Sequence, residues 1–200
     1  MFLARNKGWL DAQQVRLVET PTSTDSLKAL AEGRVDGASM TLDEVLKARV
    51  NGLPLSVVMI FDISAGADIV VARSGITNLA DLKGRRLGFE QGTVGELMLT
   101  ETLRAAGLKK EEVKLVMLPI DQQRESWSRD QVDAVVTYEP VASQLLAQGG
   151  RKVFDSGKIP NMIVDVLAIR SEVLDRSHAS AIRHLIIAHF RALKHLSQSP

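Results

Sequence analysis

Residues 132–135 read VDAV and repeat the VDGA of residues 35–38, which lie 97 positions earlier (132 minus 35). The offset persists downstream, because Gly149 follows the second copy as Gly52 follows the first. A repeat that keeps its order and spacing indicates a duplicated structural unit. The stretch therefore predicts two equivalent lobes in one chain.

A second pair of matching segments lies upstream of the first. VRLV at residues 15–18 is echoed by VKLV at residues 113–116, at an offset of 98 (113 minus 15). The drift of one residue falls in turns, where insertions are tolerated. Agreement in order over about fifty residues favours duplication over the alternative, which is that two α/β segments share such patterns by chance.

Short apolar runs of strand character alternate along the chain with segments that carry helical periodicity and cap residues. Strands are predicted at residues 15–18, 35–40, 55–63, 68–72, 86–90, 113–118, 132–137, 152–154 and 164–169. Helices or helical turns are predicted at residues 2–9, 22–33, 42–50, 78–82, 94–106, 122–129, 140–147 and 180–196. This alternation predicts an α/β fold in which each lobe is a mainly parallel sheet flanked by helices.

The two copies differ at their start. The second opens with LGFEQGT at residues 87–93, a strand followed by a glycine turn, whose counterpart would precede Met1. We therefore expect a first lobe that lacks its first strand, in a chain that is a fragment or a truncated gene product. The predicted division is residues 1–64 plus 168–200 for the first lobe and 65–167 for the second.

Composition excludes several classes of function. A net charge of +1 and 4% aromatic residues argue against a nucleic-acid partner or an anionic membrane surface. The absence of cysteine excludes disulfides, thiolate nucleophiles and cysteine metal sites, and the four histidines show no ligand spacing. No apolar run approaches the roughly 18 residues of a membrane helix, and no signal sequence is evident. We expect no metal and no cofactor.

Ligands of open parallel sheets bind beyond the carboxyl ends of the strands, where helix N-termini offer free N–H groups. Gly92-Thr93 is the best candidate for an anion, and a carboxylate and phenol at Tyr138-Glu139 suit an amine or hydroxyl. The alternative, that these residues only cap helices, stays open for each. The candidate ligand-binding residues are Ser39, Met40, Thr41, Ser64, Gly66, Ala67, Gly92, Thr93, Val94, Tyr138 and Glu139.

The interruption SAGAD at residues 64–68 lies between the predicted lobes, so it suits a hinge or a cleft wall. A second crossing between the lobes is expected near residues 161–166. Two crossings would let the lobes close on a ligand by a hinge motion.

Several segments together resemble the type 2 periplasmic solute-binding proteins of ABC importers, in the NMT1/THI5-like group that binds nitrate, sulfonates, taurine or the thiamine pyrimidine. The matching segments are FLARNKGWL (2–10), GRVDGA (33–38), SAGAD (64–68), LADLKGRRLG (79–88) and VDAVVTYEP (132–140). The resemblance implies a monomer with two lobes that close on one small polar or anionic solute. It implies an ABC permease as partner, no catalysis, and a periplasmic or cell-surface lipoprotein location. Ser39, the 64–67 loop, Gly92-Thr93 and Tyr138-Glu139 would be cleft positions.

Two rival functions share this fold. One is an enzyme of thiamine-pyrimidine or menaquinone synthesis, although the pyrimidine synthases carry a cysteine-rich motif and this chain has no cysteine. The other is the effector domain of a transcription regulator, which follows a helix-turn-helix that is absent from these residues.

Overall fold

The computed structural model of the protein describes residues 1–198. Its α-helices are α1 (Phe2–Asn6), α2 (Ser23–Ala31), α3 (Leu42–Val50), α4 (Val94–Ala106), α5 (Ile120–Ser128), α6 (Val141–Ala147) and α7 (Ala179–Gln198). Its strands are β1 (Gly37–Thr41), β2 (Leu55–Ile63), β3 (Ile69–Ala72), β4 (Arg86–Phe89), β5 (Lys114–Met117), β6 (Ala134–Thr137), β7 (Arg151–Asp155) and β8 (Val164–Arg170). The strands form two sheets, and we call the elements packed on each sheet the first and the second lobe. The predicted division into residues 1–64 plus 168–200 for the first lobe and 65–167 for the second stays a prediction.

The first sheet has the order β1-β8-β2, and both of its pairings are antiparallel. The prediction of a mainly parallel sheet is therefore wrong for this lobe. The chain leaves the sheet along β2 and returns along β8, so these neighbouring strands must run in opposite directions. No strand of residues 1–198 pairs with the other edge of β1.

The second sheet has the order β5-β4-β6-β3-β7. Strand β4 pairs in parallel with β5 and with β6, whereas β3 pairs antiparallel with β6 and with β7. This sheet is mixed rather than mainly parallel, because β3 enters from the first lobe against the direction of the repeat strands.

The duplication extends to the register of the crossing strands. Ile69 of β3 faces Thr137 of β6. At the offset of 97, Ile69 corresponds to Val166 of β8 and Thr137 corresponds to Met40 of β1, and these two residues also face each other. The two lobes therefore share strand geometry as well as sequence pattern.

The strand predicted at residues 15–18 does not form. These residues are extended without a ladder, although their counterpart is β5. Strand β5 is held by β4, and the described part of the chain supplies no equivalent strand to residues 15–18. An extended segment needs a hydrogen-bonding partner before it becomes a strand.

Buried aliphatic side chains pack on both faces of the second sheet. One cluster contains Leu87, Met98 and Leu99, and the other contains Trp127 and Leu145. The first sheet packs smaller clusters against α2, α3 and α7. Among residues 1–198, no helix combines the length and apolarity that crossing a membrane requires.

Candidate functional site

The N-terminus of α4 lies at the junction of the lobes. Gly92 takes a φ of +82°, which favours glycine, and Thr93 then caps the helix by accepting a hydrogen bond from the Gly95 amide at 3.1 Å. Thr93 is 4% exposed, so the cap is buried. The predicted turn of Gly92, Thr93 and Val94 is thus a helix N-terminus in a covered position.

A carboxylate from the other lobe occupies this helix end. The Glu44 carboxylate accepts hydrogen bonds from the Val94 amide at 3.2 Å and from the Thr41 amide of its own helix N-cap at 3.0 Å. It joins the N-termini of α3 and α4, which both favour negative charge. Burial raises the pKa of Glu44, and the two amides oppose that shift.

Lys47 adds a second link across the junction. Its ammonium lies 3.2 Å from Asp43 on its own helix and 3.5 Å from Glu96 on α4. It also lies 3.5 Å from the Thr93 carbonyl oxygen. The lobes therefore contact each other along α3 and α4 through charged groups.

Glu90 marks the carboxyl end of β4. It is 5% exposed and accepts a hydrogen bond from the Thr24 hydroxyl of the first lobe at 3.3 Å. Its other oxygen, Oε2, is buried without a hydrogen-bond partner among the described residues. Burial raises the pKa of Glu90. This carboxyl can accept a hydrogen bond from a ligand.

Tyr138 lies near this carboxyl at the end of β6. It is half-buried beside the Ser23 side chain, and burial raises its pKa to about 12, with a further contribution from Glu90. The phenol therefore remains protonated at neutral pH and can donate a hydrogen bond.

The loop between β2 and β3 is fixed by a buried network. The Ser64 hydroxyl donates to Asp68 at 2.6 Å and lies 2.8 Å from the Ser156 hydroxyl. Ser156 in turn accepts a hydrogen bond from the Gly66 amide at 2.7 Å. Burial raises the pKa of Asp68. Ser64 and Gly66 thus tie the crossing from the first lobe to the end of β7.

Two further carboxylates face each other where the strands cross. Asp62 of β2 lies opposite Asp165 of β8 in the ladder. Burial, followed by the charge of Asp62, raises the pKa of Asp165 to about 7. The junction of the lobes is therefore rich in carboxyl groups, although the net charge of the whole chain is only +1.

The other predicted residues are spread over several environments. Met40 is buried in the core of the first sheet, and Thr41 is the N-cap residue of α3, whose hydroxyl donates a hydrogen bond to the Asp43 carboxylate at 2.7 Å. Ser39 is exposed at the edge strand, and Ala67 is exposed in the loop. Glu139 accepts hydrogen bonds from the Ser143 amide at 3.2 Å and hydroxyl at 2.8 Å. Glu139 therefore caps α6.

Of the predicted residues, the structure brings three groups to one junction, namely Gly92 to Val94, Ser64 with Gly66, and Tyr138. Glu44, Glu90 and Asp68 lie at the same junction and were not among the candidate ligand-binding residues, although Asp68 belongs to the predicted hinge or cleft wall. The sequence signal for Glu44 is its place in the first turn of α3, where a carboxylate is also explained by the helix dipole alone. Among residues 1–198, no group of three or more His, Cys, Asp or Glu side chains has an arrangement that could hold a metal ion.

A family model described as NMT1/THI5 like matches residues 1–200. The putative aliphatic sulfonates-binding protein of Escherichia coli (strain K12) is 29% identical over 163 residues, which cover 78% of this chain and 51% of that protein. The chain thus spans about half the length of this curated relative.

Solved structures share the fold over nearly the whole chain. The alkanesulfonate-binding protein SsuA of Xanthomonas axonopodis pv. citri, bound to MOPS, superposes with a TM-score of 0.83 at 22% identity and covers 96% of this chain and 68% of its own. The periplasmic aliphatic sulphonate binding protein SsuA of Escherichia coli gives 0.79 at 25% identity, covering 95% and 67%. The desulfurization enzyme DSZB gives 0.68 at 20% identity, covering 95% and 71%.

Proposed function

Because the chain belongs to the NMT1/THI5-like family over residues 1–200, we propose that it is the solute-binding part of an ABC importer for a small sulfonate-type solute. Its relative in Escherichia coli is described as binding aliphatic sulfonates. The proposal places the ligand between the two lobes, at the N-terminus of α4.

One observation carries the proposal. The Val94 amide at the start of α4 already holds a carboxylate, that of Glu44, which reaches it from the opposite lobe. A helix N-terminus that binds one anion at a lobe junction is suited to bind another, such as a sulfonate. An anionic ligand would take the place of Glu44 at this amide.

The other end of the ligand would carry hydrogen-bond donors. Glu90 presents a buried carboxyl oxygen without a partner among the described residues, and Tyr138 presents a phenol nearby. A ligand with an amine or hydroxyl would satisfy Glu90. A small amino- or hydroxysulfonate, of which taurine is the simplest probe, fits both ends.

The mechanism proposed is capture by hinge closure about the two crossing segments. Ligand contacts made by both lobes exist only in the closed state, so the ligand shifts the population toward it. A permease would then recognise the closed form. By likeness to the family, we propose a monomer that works in the periplasm or on the cell surface.

An enzyme with this fold is the rival function. The desulfurization enzyme shares the fold at 20% identity, which says nothing about activity. The groups at the junction, which are carboxyls, hydroxyls, one phenol and the Lys47 ammonium, suit binding and orientation. We therefore favour binding without turnover.

Isothermal titration of the 200-residue chain with taurine, ethanesulfonate, nitrate and 4-aminopyrimidine tests the proposal. We expect saturable binding of taurine and ethanesulfonate. Glu44→Gln removes the competing charge and should tighten ethanesulfonate binding about fivefold, which is about 1 kcal/mol. Glu111→Gln, the same change at an exposed turn, is the matched control. Saturable heat from none of the four probes, with a folded chain by circular dichroism, would refute the proposal.

Closure can be measured separately because the chain contains no cysteine. Lys28→Cys with Arg129→Cys places one spin label on an exposed site of each lobe. Taurine should shift the distribution of distances between these labels to shorter values or make the distribution narrower. The pair Arg104→Cys with Arg129→Cys lies within the second lobe and should not respond. Binding with an unchanged interlobe distance would contradict hinge closure while leaving the binding function standing.

A further inference from the structure

The last rungs of the ladder between β2 and β8 lie where the two crossings between the lobes meet. Asp62 of β2 faces Asp165 of β8. Just beyond this pair, the Ser64 amide donates a hydrogen bond to the Ile163 carbonyl oxygen at 3.0 Å. The chain leaves the first sheet after Ser64 and returns to it through Ile163, so a change in the relative position of the lobes must bend the backbone beside these residues.

A β-bulge separates these rungs from the rest of the ladder. Ile60 faces Val166 and Asp62 faces Asp165, so Phe61 is an extra residue of β2. A bulge disrupts the ladder locally and bends the strand that contains it. The two aspartates therefore belong to a short end of the ladder that can open without disturbing the centre of the first sheet.

The two aspartates meet without a counter-ion. Within residues 1–198, neither carboxylate forms an ion pair. Their side chains hydrogen-bond to each other, which two carboxyl groups can do only when one of them carries a proton. Two negative charges directly opposite each other in an antiparallel pair are destabilising. Burial, followed by the charge of Asp62, raises the pKa of Asp165 to about 7, so the proton is lost near neutral pH.

The other titratable groups near the pair do not neutralise it. Asp68 of the loop before β3 and Glu44 of α3 add negative charge, which raises the pKa of Asp165 further. His189 of α7 lies close enough to Asp62 for their charges to interact. Burial lowers the pKa of His189, so its ring is mainly neutral above pH 6.5 and supplies no counter-ion where the pair loses its proton.

We propose that Asp62 and Asp165 form a proton switch in the hinge between the lobes. While they share one proton, the pair ties β2 to β8 and keeps the two crossings aligned. When that proton is released to water, the carboxylates repel each other, the last rungs open, and the lobes sample a wider range of relative positions. The hinge motion is that of the proposed function, whereas the switch itself involves no ligand.

Hydrogen exchange of the 15N-labelled chain at pH 5.5 and pH 8.5, without ligand, tests the local step. The reporter is the Ser64 amide. The Arg170 amide, which donates to the Asp36 carbonyl oxygen at 2.9 Å at the other end of β8, is the internal control. After correction for the intrinsic pH dependence of exchange, protection of Ser64 should be about fivefold lower at pH 8.5. Protection of Arg170 should not change.

Asparagine variants separate the switch from a general effect of pH. Asp165→Asn has the shape of the protonated aspartic acid and can donate a hydrogen bond to Asp62 at every pH, so Ser64 should stay protected at both pH values. Asp62→Asn changes an exposed side chain and should act in the same way, which guards against a folding defect in the first variant. Glu111→Gln, at an exposed turn, is the matched control and should keep the fivefold change.

The effect on the lobes is measured with the spin-label pair at positions 28 and 129. Without ligand, the distance distribution should be broader at pH 8.5 than at pH 5.5. Adding Asp165→Asn to this labelled chain should remove the difference between the two pH values. The pair at positions 104 and 129 lies within the second lobe and should give the same distribution at both.

Three results would overturn the proposal. The first is protection of Ser64 that does not change with pH. The second is a pH dependence that persists in both asparagine variants, which would assign it to another group such as His189 or Asp68. The third is local opening with an unchanged interlobe distance distribution, which would confine the effect to the strand ends. Because no solute is present, a failure of taurine to bind would refute the proposed function and leave the switch standing.

Discussion

The same repeat unit gives a five-stranded sheet in one lobe and a three-stranded sheet in the other. In the second lobe the VKLV segment is strand β5, whereas the VRLV segment of the first lobe is extended without a ladder. The crossing strands keep the same register in both. Local pattern therefore sets the extended conformation and the register, but a strand exists only where its neighbour does.

Burial differs in the same way between the lobes. Leu87 at the centre of β4 is fully buried, and strands β3, β4 and β6 are almost completely covered. In the first lobe, β1 and β2 are exposed at several positions, and Ile60 of β2 is 58% exposed. The stability of the protein should accordingly rest on the second lobe.

The largest effect is expected from truncating one leucine in each lobe. Leu87→Ala leaves a cavity in the second sheet and should lower the free energy of unfolding by about 2–5 kcal/mol. Leu17→Ala, in the extended segment of the first lobe that matches β5, should cost less than about 1 kcal/mol because Leu17 is only partly buried. Urea denaturation monitored by circular dichroism measures both. Equal losses would show that the first lobe is as cohesive as the second.

A pH effect should distinguish the two crossing strands. Asp165 of β8 and Asp68 before β3 stand at the offset of 97, but Asp165 faces a second carboxylate, Asp62, across the ladder. A raised pKa means that the folded state holds a proton that the unfolded chain releases near pH 4. The contribution of Asp165 to the free energy of unfolding is thus fully present below pH 4 and declines as the pH rises toward 7.

Asp165→Asn should remove this decline, which we place at about 1–2 kcal/mol after solvent screening of a partly exposed group. Asp68→Asn should flatten the profile less, because the Ser64 hydroxyl bonded to Asp68 stabilises its charge. Thermal unfolding midpoints between pH 4 and pH 8 are the measurement. If the unfolding midpoint of Asp165→Asn still declined with pH as in the natural chain, the raised pKa of Asp165 would be refuted as the cause.

The smallest effect is expected at Asp133 and Asp36, the two aspartates at matching positions of the repeat. Asp133→Asn disrupts the bond pattern with Arg86 and should cost about 1 kcal/mol at pH 7. Arg86 lowers the pKa of Asp133, so this contribution is present above pH 4 and is lost as the pH falls below it. Asp36→Asn should change the free energy of unfolding by less than about 0.3 kcal/mol, because Asp36 is exposed and unpaired among the described residues. A loss in Asp36→Asn as large as in Asp133→Asn would mean that Asp36 already has a partner.

Much of the fold could be predicted from local signals. Strand β2 spans residues 55–63 and α4 spans 94–106 as predicted, and α4 ends at Gly107, whose φ is +67°. These elements carry their own boundaries, in β-branched runs, caps and a left-handed glycine. The direction of the crossing strands could not be predicted, because it depends on how the chain returns between lobes.

The candidate site could be predicted only at its backbone turns. The residue types of Gly92 and Thr93 predict a helix N-terminus. Glu44 and Glu90 belong to the candidate site only because the folded lobes bury them together. Burial of a carboxyl between distant segments leaves no trace in local periodicity. Glu139 is the converse case, since this conspicuous residue of the sequence bonds to Ser143 at the N-terminus of α6.

Glu44 has a consequence for selectivity. A side chain tethered beside its binding site acts at an effective concentration of about millimolar or more. Any anion that reaches the Val94 amide must displace this carboxylate, so a weakly held anion such as chloride would be excluded at ordinary concentrations. Under the proposed function, Glu44 would act as a tethered competitive inhibitor, and a solute would bind only if its other contacts outweighed that of Glu44.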